Sequence, residues 1–458
     1  MIHIILSTII GFFSTLVVTF VVLPFVIKKM RSRNIVGIDV HKLDKPEVAE
    51  MGGVGIIFGL TIGCIILFIS LGIIGGGFFD LRILVFLSVI LLAGLIGIVD
   101  DLKTLGPKVK PLLTAIACLP ILIYSWTVMA FGLVPPLIPA YNSGPFLPFL
   151  GRTRLTIIYP LLIPLAIAVP ANAINMIDVF NGVMPFTAIF MFVAIFVVSL
   201  LMLFVGIPGA ELGVLLSGVM LGALLAYLYY NRYPARTFAG DSGSLTIGAA
   251  VGAIAILGRV EILAIVALLP AIMNAFYSLV SIGGLLERRQ MRSRPTIFQD
   301  DGKLAASRDA DAPLTLTRLV LGRGPMSEPR IILSLALLTL ASSILAILTL
   351  FLIPFDTGFL LNWPANVWIL IVPICLILGV FVALRNVDHL GIRLAGLISI
   401  MIVVWGIGML GFWLLDFLIV IVQSDLWPIA GILFVFGWLT LWHYSTRLYF
   451  RYQMANAS

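Results

Sequence analysis

Charged residues are scarce in this chain of 458 residues: Asp, Glu, Lys and Arg together make up 11% of it, against about 25% in an ordinary soluble protein. Hydrophobic residues make up 61%, which leaves too little polar surface to cover a soluble domain of this size. A soluble enzyme or a DNA-binding protein is therefore excluded. The net charge of +7 points to cytoplasmic loops and anionic lipid headgroups, with no nucleic acid as a partner.

Cysteine and histidine are also rare. The three cysteines (Cys64, Cys118 and Cys375) lie far apart inside apolar stretches, and the four histidines are scattered along the chain. Neither a CxxC pair nor any other zinc-binding spacing occurs. We therefore interpret the cysteines as small buried residues, and the pattern does not favour a His/Cys zinc site.

Long apolar runs dominate the remaining sequence. A membrane-spanning helix needs about 20 mostly apolar residues, and thirteen such runs predict an all-α, polytopic membrane bundle. The predicted spans are 2–27, 51–74, 82–99, 111–131, 155–170, 183–206, 212–230, 244–258, 261–285, 331–355, 367–384, 394–422 and 428–446.

Lys and Arg residues fall almost entirely on one side of this layout. If the loop after the first span is inside, 24 of the 28 Lys and Arg residues lie in inside segments. Cytoplasmic loops carry such an excess, so the N-terminus is predicted outside. Five polar loops (28–50, 100–110, 171–182, 231–243 and 286–330) are then predicted on the cytoplasmic face, and the protein is predicted to lie in the cell membrane.

An adjacent carboxylate pair, Asp100 and Asp101, ends the third span, and Lys103, Lys108 and Lys110 follow within ten residues. Two carboxylates at a helix C-terminus are disfavoured by the helix dipole and by each other. A cation, a phosphate-bound metal or general-base chemistry would explain them. The alternative is a solvated loop, in which case neutralising both should slightly raise the melting temperature.

Polar residues recur every third position in the segment ANAINMIDVFNG, which contains no Lys or Arg: Asn172, Asn175, Asp178 and Asn181. At this spacing they lie along one side of a helical turn. Their oxygens suit a hard cation and their amides suit a nucleobase. Helix capping would explain one or two of the four.

Two further acids stand beside glycines at predicted helix starts. Glu50 precedes Gly52–Gly53, and Asp241 lies in GDSGS. Glycines allow close backbone approach, and a helix N-terminus favours an anion. Each acid is either a helix cap or a ligand-contacting group, which for Asp241 means a metal ligand that bridges to phosphate.

The longest loop, 286–330, carries Arg292 and Arg294 before Pro295. Arginine forks grip phosphates in a bidentate manner, although a generic positive cytoplasmic loop would look similar. Together the five loops offer ligands for Mg²⁺ and for phosphates at one membrane face. This combination predicts phosphoryl transfer between a water-soluble pyrophosphate compound and a molecule in the bilayer.

The order and spelling of these segments resemble the polyprenyl-phosphate N-acetylhexosamine-1-phosphate transferases, of glycosyltransferase family 4 type. The resemblance covers the residues from about 30 to about 330. It rests on four features: the aspartate pair, an NAxN segment that ends in Asn-Gly, a segment with Phe, any residue and then Gly-Asp, and the Arg-rich loop 286–330. GIDVHKLDKPEVAEMGG and NAINMIDVFNG look closest to the eukaryotic and archaeal branch that makes dolichyl-diphosphate N-acetylglucosamine. The longest loop, 286–330, is called the late loop below, and it lacks the histidine motif of the bacterial members. Ser293 stands where the eukaryotic pattern has a histidine, and Asp178 matches the bacterial spelling.

The resemblance implies transfer of N-acetylglucosamine-1-phosphate from UDP-N-acetylglucosamine to dolichyl phosphate, with release of UMP. It implies Mg²⁺ as the cofactor, with Mn²⁺ as an alternative, held between Asn175 and Asp241. Asn181 would hold the uracil edge. The reaction would be the first step of lipid-linked oligosaccharide assembly for protein N-glycosylation.

The resemblance also assigns the remaining phosphate contacts. Lys110 would meet the acceptor phosphate, and Arg292 and Arg294 would hold the donor phosphates or sugar. Asp100 and Asp101 are the predicted catalytic residues, which would orient or deprotonate the acceptor or support the cation. The further candidates are Glu50, Asn172 and Asp178.

The family has about ten spans, so 1–355 is predicted to be the phosphotransferase core and 356–458 an extension of about three spans without an assigned role. A homodimer is left open. One alternative function is the same reaction with another UDP-N-acetylhexosamine or lipid carrier for a cell-surface polysaccharide. Another is a transporter of nucleotide sugars or lipid-linked sugars, which would place polar residues at mid-membrane.

Overall fold

The computed structural model of the chain describes residues 1–77, 79–130, 146–147, 151–152, 155–284, 293–350, 391–403, 405–407 and 427–456. Most of the described residues are helical. The helices are α1 (Ile2–Ser32), α2 (Gly53–Ile74), α3 (Arg82–Leu102), α4 (Val109–Ile116), α5 (Leu119–Ala130), α6 (Leu155–Ile177), α7 (Val183–Phe204), α8 (Ala210–Asn231), α9 (Gly240–Leu257), α10 (Glu261–Ala267), α11 (Leu269–Ile282), α12 (Leu316–Val320), α13 (Glu328–Leu350), α14 (Gly391–Ile407) and α15 (Trp427–Ala455).

Within the described ranges, eight helices are long and apolar enough to cross a membrane, or nine if α10 and α11, bent by 66°, form one span. α4 and α5 make one of the eight, Val109–Thr127. Each of the first ten predicted spans coincides with such a helix, with the bent pair or with α6. The predicted fold, a multi-pass helical membrane protein, is therefore confirmed.

The last three predicted spans are only partly covered. The span 367–384 lies outside the described residues, 394–422 overlaps α14 in part, and 428–446 falls within α15. The total of thirteen spans and the division at residue 355 stay predictions.

Several helices extend beyond the predicted spans. α6 continues to Ile177, so the first half of the predicted loop 171–182 is helical, and α9 begins at Gly240 within the predicted loop 231–243. Hydropathy marks only the apolar part of a helix, whereas backbone hydrogen bonding continues through polar residues. Asn172 and Asn175 therefore lie on a rigid helix and not on a loop.

Small residues bring the central helices close together. α1 packs against α2 and α8, and its fully buried Thr15 and Thr19 face α2. A Cβ added to Gly63 or Gly59 of α2 would lie 1.7 Å or 1.9 Å from the hydroxyl oxygen of Thr15 or Thr19. Glycine at these positions permits the close helix contact that is typical of membrane bundles. α9 is almost wholly buried, between α3 and α6.

Within the described ranges, three short antiparallel hairpins connect helices. They are β1 (Val36–Ile38) with β2 (Glu47–Ala49), β3 (Phe146–Leu147) with β4 (Gly151–Arg152), and β5 (Thr296–Phe298) with β6 (Leu304–Ala306). Val36 pairs with Ala49 in the first hairpin, and Thr296 pairs with Ala306 in the third.

Contacts between distant segments gather most of the predicted cytoplasmic loops at one end of the bundle. Ala49 forms a bridge with Thr237, and Gly52 N–H donates to the Phe238 carbonyl at 2.8 Å. At the other end, Arg82 binds Glu211 at 2.9 Å and joins the starts of α3 and α8. The loops therefore share one face, and the assignment of that face to the cytoplasm stays a prediction.

Candidate active site

The ammonium of Lys110 is the centre of a polar cluster at this end. Its Nζ lies 2.7 Å from Asp100 Oδ2, 2.8 Å from Asp241 Oδ1 and 3.2 Å from Asn175 Oδ1. The four residues come from the end of α3, the start of α4, the last turns of α6 and the first turn of α9. Residues up to 141 positions apart in the chain are thus held around one cation.

Asn175 cross-links this cluster from α6. Its amide nitrogen donates to Asp241 Oδ1 and, at 2.8 Å, to Ser244 Oγ one turn further along α9. The same side chain therefore donates to α9 and accepts from Lys110. Ser244, a residue that the sequence did not single out, helps to fix the Asn175 amide in this orientation.

Asp101 has a different role from its neighbour. Its carboxylate accepts the backbone N–H groups of Asp241 at 2.7 Å and Ser242 at 3.0 Å, and so caps the N-terminus of α9. Gly240 has φ +70°, and a Cβ there would lie 2.6 Å from Asp101 Oδ2. Whereas Asp100 binds Lys110, Asp101 orients the helix that carries Asp241. The two predicted catalytic aspartates therefore contact different groups in this structure, and their catalytic roles stay predictions.

Two more carboxylates surround the cluster. Burial and the nearby Asp101 carboxylate raise the pKa of Glu50. Burial and the Asp241 carboxylate raise the pKa of Asp178 to about 7. A further positive charge beside these carboxylates would lower both pKa values.

The oxygen ligands around Lys110 fit a hard divalent cation. Among the described residues, no three His, Cys, Asp or Glu side chains are arranged to hold a metal. The convergent set is instead two carboxylates, Asp100 and Asp241, and the Asn175 amide oxygen. Mg²⁺ is commonly bound by one or two carboxylates together with substrate phosphates, and the predicted metal ligands, Asp241 and Asn175, match that pattern.

Asn181 belongs to a second, neighbouring cluster. Its amide nitrogen donates to Asp39 Oδ2 at 2.9 Å and to Glu328 Oε1, which also accepts the Asn181 backbone N–H at 2.9 Å. Burial opposes ionisation of Asp39, but hydrogen bonds from Lys42 and Asn181 lower its pKa. Asn181 Oδ1 is buried and has no hydrogen-bond partner among the described residues. The cluster joins the first loop, the end of the Asn-rich segment and the start of α13.

The other predicted site residues lie further out. Asn172 donates to Thr114 Oγ1 at 2.9 Å and to the Ala168 carbonyl at 2.8 Å, so its amide joins α6 to α4. Arg294 is exposed at the base of the β5–β6 hairpin, where it lines an open cavity of about 550 Å³. Arg292 lies outside the described residues.

Several contributors were missed from the sequence. Asp39 and Lys42 stand in the charged first loop, where nothing in the spacing separates them from solvated neighbours. Glu328 looks like an ordinary dipole cap, because it is an acid in the first turn of an apolar helix. Its contact with Asn181, 147 positions away, exists only in the folded chain.

Known proteins are similar to this chain over the segment that carries the cluster. The profile of glycosyl transferase family 4 matches residues 83–259, which contain Asp100, Lys110, Asn175 and Asp241. A proposed UDP-N-acetylglucosamine–dolichyl-phosphate N-acetylglucosaminephosphotransferase of Saccharolobus solfataricus is 32% identical over 262 residues, or 56% of this chain and 71% of that protein. The chain belongs to glycosyl transferase family 4. The family predicted from the motifs is thereby confirmed, and with it a membrane-bound transferase.

Two further relatives show the breadth of this family. A proposed glycosyltransferase of Methanocaldococcus jannaschii is 29% identical over 328 residues, which cover 72% of this chain and 92% of that protein. A phospho-N-acetylmuramoyl-pentapeptide-transferase of Syntrophus aciditrophicus is 31% identical over 285 residues, or 57% and 74% of the two chains. Relatives with different sugars in their names thus reach similar identity, so identity alone does not select the donor sugar.

Proposed function

We propose that this transferase moves N-acetylglucosamine-1-phosphate from UDP-N-acetylglucosamine to a polyprenyl phosphate of the dolichyl type and releases UMP. The observation that carries the proposal is the convergence of Asp100, Asp241 and Asn175 oxygens on one cation at the end of a membrane bundle. The Saccharolobus solfataricus relative, which has this reaction in its name, supports it. With this reaction, the enzyme would start the assembly of the lipid-linked oligosaccharide for N-glycosylation.

The chemistry is a single displacement at phosphorus. An oxygen of the acceptor phosphate attacks the β-phosphorus of the donor, the bond to the UMP oxygen breaks, and a lipid-linked sugar diphosphate remains. The second pKa of a phosphate monoester is about 6, so the acceptor is largely ionised at neutral pH and needs little general base. Positioning and charge compensation are therefore the main tasks of the site.

Asp241 and Asn175 would hold Mg²⁺, or Mn²⁺ in its place, which neutralises the donor diphosphate when bound. Lys110 now occupies the position on which their oxygens converge. With that ion bound, Asp241 and Asn175 would turn their oxygens from the ammonium to the metal. Lys110 would then keep Asp100 as its partner and turn its remaining charge toward the acceptor phosphate.

The fixed orientation of Asn181 supports recognition of uracil. Its NH₂ group faces the Asp39 and Glu328 carboxylates, and its Oδ1 accepts no hydrogen bond from the part of the chain that the structure describes. Uracil offers a ring N–H to such an acceptor, whereas cytosine has a ring acceptor there. Because Oδ1 is buried, donor binding requires the surrounding loops to open.

The late loop supports the choice of sugar. It contains no histidine between 286 and 330, unlike the bacterial pattern, and it presents Arg294 at the surface of an open cavity. A guanidinium there suits a donor diphosphate. The same reaction with another hexosamine or lipid carrier is the alternative that the experiment must separate.

The test uses purified protein with three labelled donors: UDP-N-acetylglucosamine, UDP-N-acetylgalactosamine and UDP-N-acetylmuramoyl-pentapeptide. Each is paired with dolichyl phosphate or undecaprenyl phosphate, and lipid extracts are analysed for labelled product and for UMP. We expect labelled lipid and equimolar UMP with the first donor and dolichyl phosphate, and loss of both in Asp241→Asn and in EDTA. Preference for another donor or carrier would select the alternative, and absence of product with all pairs would refute the transferase.

A further inference from the structure

The C-terminal segment, here meaning α14 and α15, contacts the late loop through a buried arginine. Arg393 at the start of α14 is only 5% exposed. Its Nη1 donates to the Val320 and Gly324 carbonyls at 3.3 Å each and to Met326 Sδ at 2.9 Å. Burying a guanidinium costs free energy. The contacts that offset this cost all lie in one short segment, 320–326.

α15 reinforces this contact. Tyr449 donates its hydroxyl to the Arg393 carbonyl at 2.8 Å. Phe450, the next residue, places its ring 5.1 Å from the Arg318 guanidinium carbon of the late loop. A Cβ on Gly322 would lie 3.2 Å from the Phe450 ring. Both helices of the C-terminal segment therefore contact the late loop.

The segment 320–326 is hydrogen-bonded to the β5–β6 hairpin, which follows Arg294. Met326 exchanges two backbone hydrogen bonds with Leu304 of β6, at 2.8 and 2.9 Å. Arg318 donates to the Ser307, Asp309 and Ala312 carbonyls, and Ser307 N–H donates to the Pro295 carbonyl at 3.0 Å. Pro295 directly follows Arg294. An unbroken set of contacts therefore runs from Arg393 and Phe450 to the base of Arg294.

We propose that the C-terminal segment is a positioning element for the donor site, in which Arg393 and Phe450 act as positioning residues that hold the late loop and thereby place Arg294. This inference rests on the proposed function for the role of Arg294. It gives the extension a task other than anchoring the chain in the membrane.

The test compares Arg393→Gln and Phe450→Leu with Arg451→Gln, which changes an exposed arginine next to Phe450 on the same helix. In the first two variants we expect the donor KM to rise about tenfold, with kcat and the acceptor KM changed less than about threefold. A KM change at constant kcat is the mark of lost substrate binding. Arg451→Gln should behave as wild type.

Hydrogen exchange provides a readout that does not depend on activity. The amides of Leu304 and Met326 should exchange at least tenfold faster in Arg393→Gln and in Phe450→Leu, while those of α9 keep their protection. If neither the wild-type protein nor any variant turns over a donor, the proposed function fails. The exchange result still tests the positioning contact in that case. Unchanged exchange in the late loop, or uniformly faster exchange throughout the bundle in both variants, would overturn the inference in favour of a simple anchor.

Discussion

Replacing Asp101 by Asn tests the division of labour between the paired aspartates. The wild-type carboxylate accepts two backbone N–H groups at the start of α9, from Asp241 and Ser242. Asn has a single side-chain oxygen and would turn its NH₂ group toward one of these donors. One hydrogen bond is lost, and the other loses the charge that strengthens it.

The magnitude follows from these two contacts. A hydrogen bond to a charged group contributes about 1.5–3 kcal/mol, and removal of a helix cap costs about 0.5–2 kcal/mol. Relief of the repulsion between Asp101 and the adjacent Asp100 offsets part of this loss. We therefore expect Asp101→Asn to lower the free energy of unfolding by about 1–3 kcal/mol, whereas surface charges that are merely tolerated would give a slight gain.

The assay is thermal unfolding of the purified protein in detergent, together with kcat for the transfer. Asp301→Asn is the matched control, because that carboxylate is half exposed and pairs only locally with Lys303. Asp100→Asn should instead reduce kcat by on the order of 10²-fold with a smaller change in melting temperature, since it removes a partner of Lys110. A melting temperature of Asp101→Asn equal to or above wild type, beside an unchanged Asp301→Asn, would refute the capping role.

Three further outcomes are expected. Lys110→Met should raise the affinity for Mn²⁺ about tenfold in titration calorimetry while turnover falls by on the order of 10²-fold, and unchanged affinity would mean that the ammonium does not share the cation's position. Because Asp178 has a pKa of about 7 in the fold against about 3.9 unfolded, its stability contribution is complete below pH of about 4 and is lost as pH rises to about 7. Asp178→Asn should therefore be more stable than wild type by about 4 kcal/mol at pH of about 8 and close to it near pH of about 4, so a constant difference across this range would contradict the assigned pKa. Cysteines introduced at Thr104 and Asp300 should label only from the cytoplasm and one at Pro208 only from outside, and labelling of all three from one side would contradict the topology.

Much of this architecture could be predicted from local properties of the sequence. Apolar runs of membrane length predict helices whatever their neighbours are, and the first ten were placed correctly. The loops that gather at one end were recognisable because Lys and Arg collect there and because Asp100, Asn175 and Asp241 stand in short motifs. Helix ends were less predictable, since hydropathy does not register the polar last turns of α6.

The roles of individual side chains were decided by packing between distant segments. Asp100 and Asp101 are equivalent in the sequence, yet their side chains leave α3 in different directions, and one meets Lys110 while the other meets the N-terminus of α9.

Asn172 and Asn175 are likewise similar in spacing, but only Asn175 reaches Asp241. The contacts of Glu328 with Asn181 and of Arg393 with Met326 join residues 147 and 67 positions apart. No local pattern encodes such pairs, because helix packing alone determines which polar groups share a buried space. The sequence by itself thus determined the membrane fold and the transferase family, and the tertiary structure decided which polar side chains meet.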